Sequence, residues 1–591
     1  MTSYADKPWM KYYDPGIPET LAPYPETTLH DLLRQSAQKY PDHIALVTDA
    51  RLPVLGHQNH RLSYRELDAF SDAMAAALIS FGLKKGDRVA IVMPNIASFV
   101  IAYYGILKAG GVVVATNPTY PPRKMQHQID DCDAEIVITI SLFYQTIKEI
   151  QSGTKVKRVV VANVKDHLPG LARFLFSKMK EKKEGHFLAS VDNADCWMQD
   201  LLAQFSGQKP NVTVTPDDLA VIQYTGGTTG VSKGALASHR AIVASTEMIM
   251  SWTSVKIPGV PHNPRHEMIV LAALPMFHVY GLIVILSQAV ASGCKLILVP
   301  NPRDIHTLVS MIDHYQPGFF AGVPTLYNAI INHADIKSGK VSLESITISQ
   351  SGAAPMHQSL KDGFEAAGGR RLFEGYGMSE IPCGNHSGPL VGENRPDSVG
   401  LPLPDVECSI INLDDGVTEM PVGEVGEIVI HAPHMMQGYH KMPDETDNVL
   451  RKREDGKLWV YTGDIGRMDE DGFFYLVDRK KDLVLVGGFN VYPTQIEKAL
   501  QTHPAVAEVC VAGVPHPKKM GEEALKAWVV LEPGQSVTRG DLIAYCKDHL
   551  AGYEIPRRYA FVDELPKSAV GKTLRRELVL METGENGNQA E

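Results

Sequence analysis

Residues 224–234 read Y-T-G-G-T-T-G-V-S-K-G, a short loop in which glycine backbone N–H groups, threonine and serine hydroxyls and the Lys233 ammonium can converge on a polyanion. A phosphate chain is the ligand such donors suit. The spacing departs from the Walker pattern G-x-x-x-x-G-K-[ST], because Val231 and Ser232 separate Gly230 from Lys233 and a glycine follows the lysine. The apolar run 219–224 suits a strand and 240–250 has helical character, a reasonable setting for a phosphate site. A flexible Gly/Thr linker is the competing reading, but linkers rarely lie between two apolar elements with a lysine at their end.

Further groups lie downstream. Residues 374–380, E-G-Y-G-M-S-E, place a hydroxyl and a carboxylate after a glycine-flanked aromatic, a combination able to stack a base and hold a hard cation such as Mg²⁺. Asp464 closes Y-T-G-D at 461–464 and can accept hydrogen bonds from both hydroxyls of a ribose; alone it reads more readily as a turn or cap aspartate. The run D-R-K-K-D at 478–482 is the kind of charge cluster that usually marks a solvated face. Lys572 follows a glycine in P-K-S-A-V-G-K at 566–572, where most lysines are surface residues.

The elements that must carry these groups are those of layered α/β architecture. Strand-like runs at 88–92, 111–115, 135–139 and 158–162 alternate with amphipathic segments, which predicts largely parallel sheets. Near residue 400 the texture changes to short strands with Gly-Glu and Asp-Gly turns, predicting a β-rich subdomain over about 400–478; an α/β pattern resumes after 480. The reading is a large N-terminal domain over 1–480, a small mobile α+β C-terminal domain over 481–578, and a frayed tail over 579–591. At 591 residues the chain exceeds one core. A net charge of −11 gives no support to nucleic-acid binding as the main task, and seven scattered cysteines without a C-x-x-C pair or zinc spacing fit a reducing cytoplasm. No stretch approaches the apolar length of a membrane span. Residues 168–183 combine apolar residues at helical spacing with Arg173, Lys178, Lys180, Lys182 and Lys183, and suit either peripheral contact with the inner face of an anionic membrane or an ordinary surface helix.

Taken together, the chain resembles the adenylate-forming superfamily, specifically the bacterial long-chain fatty-acyl-CoA synthetases (AMP-forming). The resemblance runs in order through the loop at 224–234, L-P-M-F-H-V-Y-G at 274–281, S-G-A-A-P-M at 351–356, G-Y-G-M-S-E at 375–380, Y-T-G-D at 461–464, D-R-K-K-D at 478–482, G-F-N-V-Y-P at 488–493 and P-K-S-A-V-G-K at 566–572. It implies two half-reactions. ATP and a fatty acid give acyl-AMP and pyrophosphate; CoA then takes the acyl group and releases AMP.

The resemblance also implies roles. Thr225, Gly226, Gly227, Thr228, Thr229, Gly230 and Lys233 would wrap the β- and γ-phosphates, Thr225 and Glu380 would help place Mg²⁺, and Ser379 would meet the α-phosphate. Gly352, Ala353, Ala354, Glu374, Gly375, Tyr376 and Gly377 would form the adenine pocket, and Asp464 and Arg479 would hold the ribose. Lys572 would lie between fatty carboxylate and α-phosphate. Lys481 marks the hinge about which the C-terminal domain turns, bringing Gly488 and Asn490 to the adenylate to admit pantetheine. His278 sits at the edge of the acyl pocket, as an aromatic gate in preference to a base, and the small residues Gly281, Gly322 and Gly352 are compatible with a tunnel. Three positions depart from the family: Ser379 replaces the commoner Thr, Gly487 a common Ser, and Leu485 a lysine found in some relatives. A medium-chain or aryl acid, a carrier-protein acceptor and a non-catalytic relative remain as rivals, and the oligomeric state is open, a homodimer included.

Overall fold

The computed structural model describes residues 3–52, 55–225, 232–261, 264–486, 489–516, 523–568 and 571–583. One sheet runs in the order Cys196–Trp197, Arg158–Ala162, Ile136–Ile140, Arg88–Val92, Val112–Ala115, Leu219–Tyr224, Gly234–Ser238. Every pair is parallel except the last, where Gly234–Ser238 turns back on Leu219–Tyr224. The four strands read from sequence fall here, and Val112–Ala115 and Ile136–Ile140 are buried at every residue. Uninterrupted Val/Ile runs are what a sheet covered on both faces requires.

A larger sheet begins at the antiparallel pair Ile44–Leu52 and Gly56–Ser63 and continues through five parallel strands, Lys295–Leu298, Ile269–Ala272, Phe319–Gly322, Ile348–Ser351 and Leu372–Met378. Leu372–Met378 is the pivot. It is parallel to Ile348–Ser351 on one side and antiparallel to Cys383–Ser387 on the other, and antiparallel strands follow out to Glu407–Ile411. The β-rich texture expected from about 400 is thus real, and it joins the larger sheet edge to edge.

Beyond residue 483 the chain builds a separate three-stranded sheet from Val506–Pro515, Glu523–Leu531 and Arg558–Phe561. Its apolar cores, with Val491, Ile496, Val511, Val529 and Leu542 at their centre, draw on residues 484–579. The expected tail starts too early: the helix Arg575–Thr583 buries Leu578, and Glu582 accepts hydrogen bonds from Lys526 and Arg558, so pairing with the sheet orders the backbone past 579. Among the described residues no helix is long and apolar enough to cross a membrane.

Candidate active site

The carboxyl ends of the parallel strands are where an open α/β sheet offers a ligand its crevice. Here they border a cavity of about 1430 Å³. Thr225 follows Leu219–Tyr224, Gly352 and Ala353 follow Ile348–Ser351, and 375–380 lie on and after Leu372–Met378; all line it. Ala353 adopts φ +68°, a left-handed conformation that burdens a residue with a Cβ, which places the strain on the cavity wall.

The ends of the glycine loop are closed by backbone pairing. The Thr225 N–H donates to the Lys233 carbonyl at 2.8 Å, and the Ser232 hydroxyl donates to the Thr225 carbonyl at 2.5 Å. Lys233 pairs with Glu445 at 2.5 Å and lies 5.2 Å from the Tyr439 ring centroid. Gly226, Gly227, Thr228, Thr229 and Gly230 lie outside the described residues, as does Gly488.

Asp464 and Arg479 face each other across an antiparallel pair, which is why residues fifteen apart in sequence share one point in the site. Arg479 Nε lies 3.2 Å from Asp464 Oδ1, while the Tyr376 hydroxyl donates to Oδ2 at 2.7 Å. Asp464 raises the Arg479 pKa and holds the guanidinium charged. The Glu380 carboxylate accepts from the Tyr439 hydroxyl at 2.7 Å, and its backbone carbonyl accepts from Met436 N at 2.8 Å.

Lys572 reaches the same cavity from the other side of residue 481. It closes a tight hairpin: Ser568 N–H donates to the Lys572 carbonyl at 2.8 Å, Lys572 N–H to Ser568 Oγ at 3.1 Å, and Leu574 N–H to the Pro566 carbonyl at 2.8 Å. Gly571 has φ +72°, and a Cβ there would stand 2.6 Å from Thr325 Oγ1, so the hairpin rests on the helix Pro324–Ile331 of the large unit. Burial pushes the Lys572 pKa down to about 7, and the Arg479 and Lys481 charges add to it. Lys481 also lines the cavity, and burial with Arg479 lowers its pKa. Arg479 thus lowers the pKa of both lysines beside Asp464, a concentration of positive charge that suits an anion.

His278 lines the cavity, and Ile249, Trp252, Val284, Cys383 and Gly384 give the same lining an apolar end, where Gly384 lies beside Ile249 and Leu403. Its Nδ1 accepts the Tyr280 N–H at 3.3 Å, which leaves the proton on Nε2, and burial takes its pKa down to about 4. The ring is therefore neutral throughout the physiological range.

Several expectations shift. Glu374 lies off the cavity lining, its carboxylate buried against Lys361 at 2.8 Å, and burial raises its pKa; Ala354 also lies off the lining. Gly281 and Gly322 are packing glycines: a Cβ on the first would meet the Pro275 carbonyl oxygen at 2.2 Å, on the second Tyr327 at 2.9 Å, and neither lines the cavity. Gly384 does line it, with room for a side chain facing Leu403 at 3.6 Å. In this orientation Asn490 is exposed on Phe489–Val491, off the cavity lining; its expected approach to the adenylate belongs to the rotated orientation. Tyr439 and Gly384 carried no sequence signal, because neither belongs to a recognisable spacing.

Comparison with known proteins agrees with this geometry. Residues 33–440 match the AMP-binding enzyme family, and 495–572 match the AMP-binding enzyme C-terminal domain. The chain belongs to the AMP-binding enzyme family. A long-chain-fatty-acid–CoA ligase of Bacillus subtilis is 37% identical over 98% of this chain and 99% of its own length. ATP-bound MatB from Rhodopseudomonas palustris, 27% identical, superposes with a TM-score of 0.78 over 94% of this chain and 99% of MatB. The apo form of MatB, covering 95% and 99%, gives 0.68. This AMP-binding enzyme therefore holds its parts more as the ATP-bound relative does.

Proposed function

We propose that the chain is a long-chain fatty acid–CoA ligase, working through acyl-AMP. The observation that carries this reading is the convergence of Lys572, Arg479 and Asp464 on one cavity that His278 and the apolar residues Ile249, Trp252 and Val284 also line. The similarity to the Bacillus subtilis ligase supports the choice of acid and acceptor. Thr225 and Lys233 face the phosphates, Asp464 accepts from the ribose hydroxyls in the orientation Tyr376 gives it, and Gly352, Ala353, Gly375 and Gly377 border the base. A fatty carboxylate oxygen attacks the α-phosphorus and pyrophosphate leaves; the Lys572 ammonium offsets the negative charge gathering between them. The CoA sulfur then bonds to the acyl carbon, its proton passes to solvent, and AMP leaves.

Mg²⁺ binds in such sites through one or two carboxylates plus substrate phosphates. Glu380, with one oxygen oriented by Tyr439, and Thr225 are the residues that fit it, and the ion would neutralise phosphate charge. Acids from C4 to C18 with ATP and CoA, read by AMP release, test the acid, and thioester formed on free CoA tests the acceptor. An optimum at C4 or an aryl acid would overturn the long-chain assignment; acyl-AMP made without thioester on free CoA would favour a carrier protein.

We also propose peripheral contact with an anionic membrane surface around the helix Gly170–Met179. Of that helix only Ala172 is buried, and Leu171, Phe174, Met179 and nearby Phe187 are 49–70% exposed among the lysines noted above. Apolar side chains set among cations suit anionic headgroups. In vesicle co-sedimentation, a variant with these lysines neutralised should bind less; unchanged binding would exclude the surface.

A further inference from the structure

The strand Phe474–Arg479 ends with neighbours that do different work. Arg479 lines the cavity, whereas the Asp478 side chain is only 1% exposed and meets the C-terminal unit. Asp478 Oδ2 accepts the Thr494 N–H at 2.8 Å in the first turn of the helix Pro493–Gln501, where a carboxylate also meets the positive end of the helix dipole. Its Oδ1 accepts the Arg479 N–H at 2.7 Å and lies 3.9 Å from Arg575 Nη1.

Arg575 stands three residues beyond Lys572 and is shared. Its Nη1 pairs with Asp482 at 2.7 Å and its Nη2 with Glu497 at 2.8 Å, both on the C-terminal side of Lys481. Asp478 alone of these carboxylates lies on the large-unit side. A turn about residue 481 carries Thr494, Glu497 and Arg575 together, so Arg575 keeps two of its partners while Asp478 loses every bond to the C-terminal unit named here. The orientation that seats Lys572 is therefore favoured at Asp478.

We propose that Asp478 is a positioning residue for acyl-AMP formation: its carboxylate latches the C-terminal unit in the orientation that holds Lys572 in the cavity, and must be released for thioester formation. This rests on the two-step reading above. It adds that the balance between the half-reactions is set by a side chain that touches neither substrate.

The test measures the half-reactions separately in the full-length enzyme, as pyrophosphate release from ATP and a fatty acid, and as thioester from supplied acyl-AMP and CoA. Asp478→Asn should lower the first at least 10-fold and leave the second within about twofold of the unaltered enzyme, since the charge that pairs with Arg575 is gone. Asp478→Glu, which restores the carboxylate, should recover part of the loss. Equal loss in both half-reactions by a variant with an intact circular dichroism spectrum, or no loss in either, would overturn the proposal. Should the Asn variant fail to fold, the Glu variant decides: the same selective loss, in smaller degree, supports the latch, and unchanged or equally reduced half-reactions overturn it. Failure of the unaltered enzyme to make acyl-AMP would instead refute the ligase reading itself.

Discussion

Replacing Lys572 with alanine removes a buried cation that the C-terminal hairpin brings into the cavity, while leaving Lys567 of the same hairpin and Asp464, Arg479 and Glu380 in place. Two unit charges about 4 Å apart at an effective dielectric of about 20 interact by roughly 4 kcal/mol. At about 1.4 kcal/mol per decade, that is a loss on the order of 10³ in the rate of charge build-up at phosphorus. Water entering the vacated space recovers part of it, so a fall of about 10²–10³ is expected, in keeping with the loss of one oxyanion donor. Single-turnover pyrophosphate release reads this step, and thioester formation from supplied acyl-AMP serves as the control, with a change there of less than about threefold expected. A fall of less than about 10-fold in the first assay, or equal loss in both, would refute the assignment of Lys572 to adenylation.

The pH dependence follows from the same lysine. Its pKa of about 7 means the ammonium is present below that pH and lost above it, so kcat/KM for acyl-AMP formation should fall as pH rises through 7, and Lys572→Arg should flatten that limb. His278, already neutral above about 4, contributes no such limb: His278→Gln should leave the shape of the profile unchanged between pH 5.5 and 8. Gly384→Leu should fill the apolar end of the cavity and move the acid preference at least two carbons shorter in the chain-length panel. Glu380→Gln should raise the Mg²⁺ concentration needed for half-maximal pyrophosphate release about 10-fold or more, and chelation should stop that release in the unaltered enzyme.

Much of this site was legible because local spacing and distant pairing coincide. The Val/Ile runs at 88–92 and 158–162 fold as read, since a strand covered on both faces has little freedom in composition. Asp464 and Arg479 could be named from their motifs, yet what makes them partners is the register of two strands. Glu374 shows the limit in the other direction: its motif pointed to the base, but burial beside Lys361 took the side chain elsewhere. The glycines at 281 and 322 looked like tunnel space and serve close packing, against the Pro275 carbonyl and the Tyr327 ring, and only three-dimensional neighbours tell those uses apart. The joining of the β-rich segment to the larger sheet depends on Leu372–Met378 pairing in opposite senses on its two edges.

The cross-strand pair of Asp464 and Arg479 is also the last rung before the turn at 480–482. Under the proposed function a nucleotide held there would grip the end of the lever about which the C-terminal unit turns, so occupancy and orientation would be thermodynamically linked. Linkage is reciprocal. Whatever factor ATP contributes toward seating the hairpin, a seated hairpin must return to ATP affinity, and a change that unseats it weakens nucleotide binding by the same factor without touching the nucleotide.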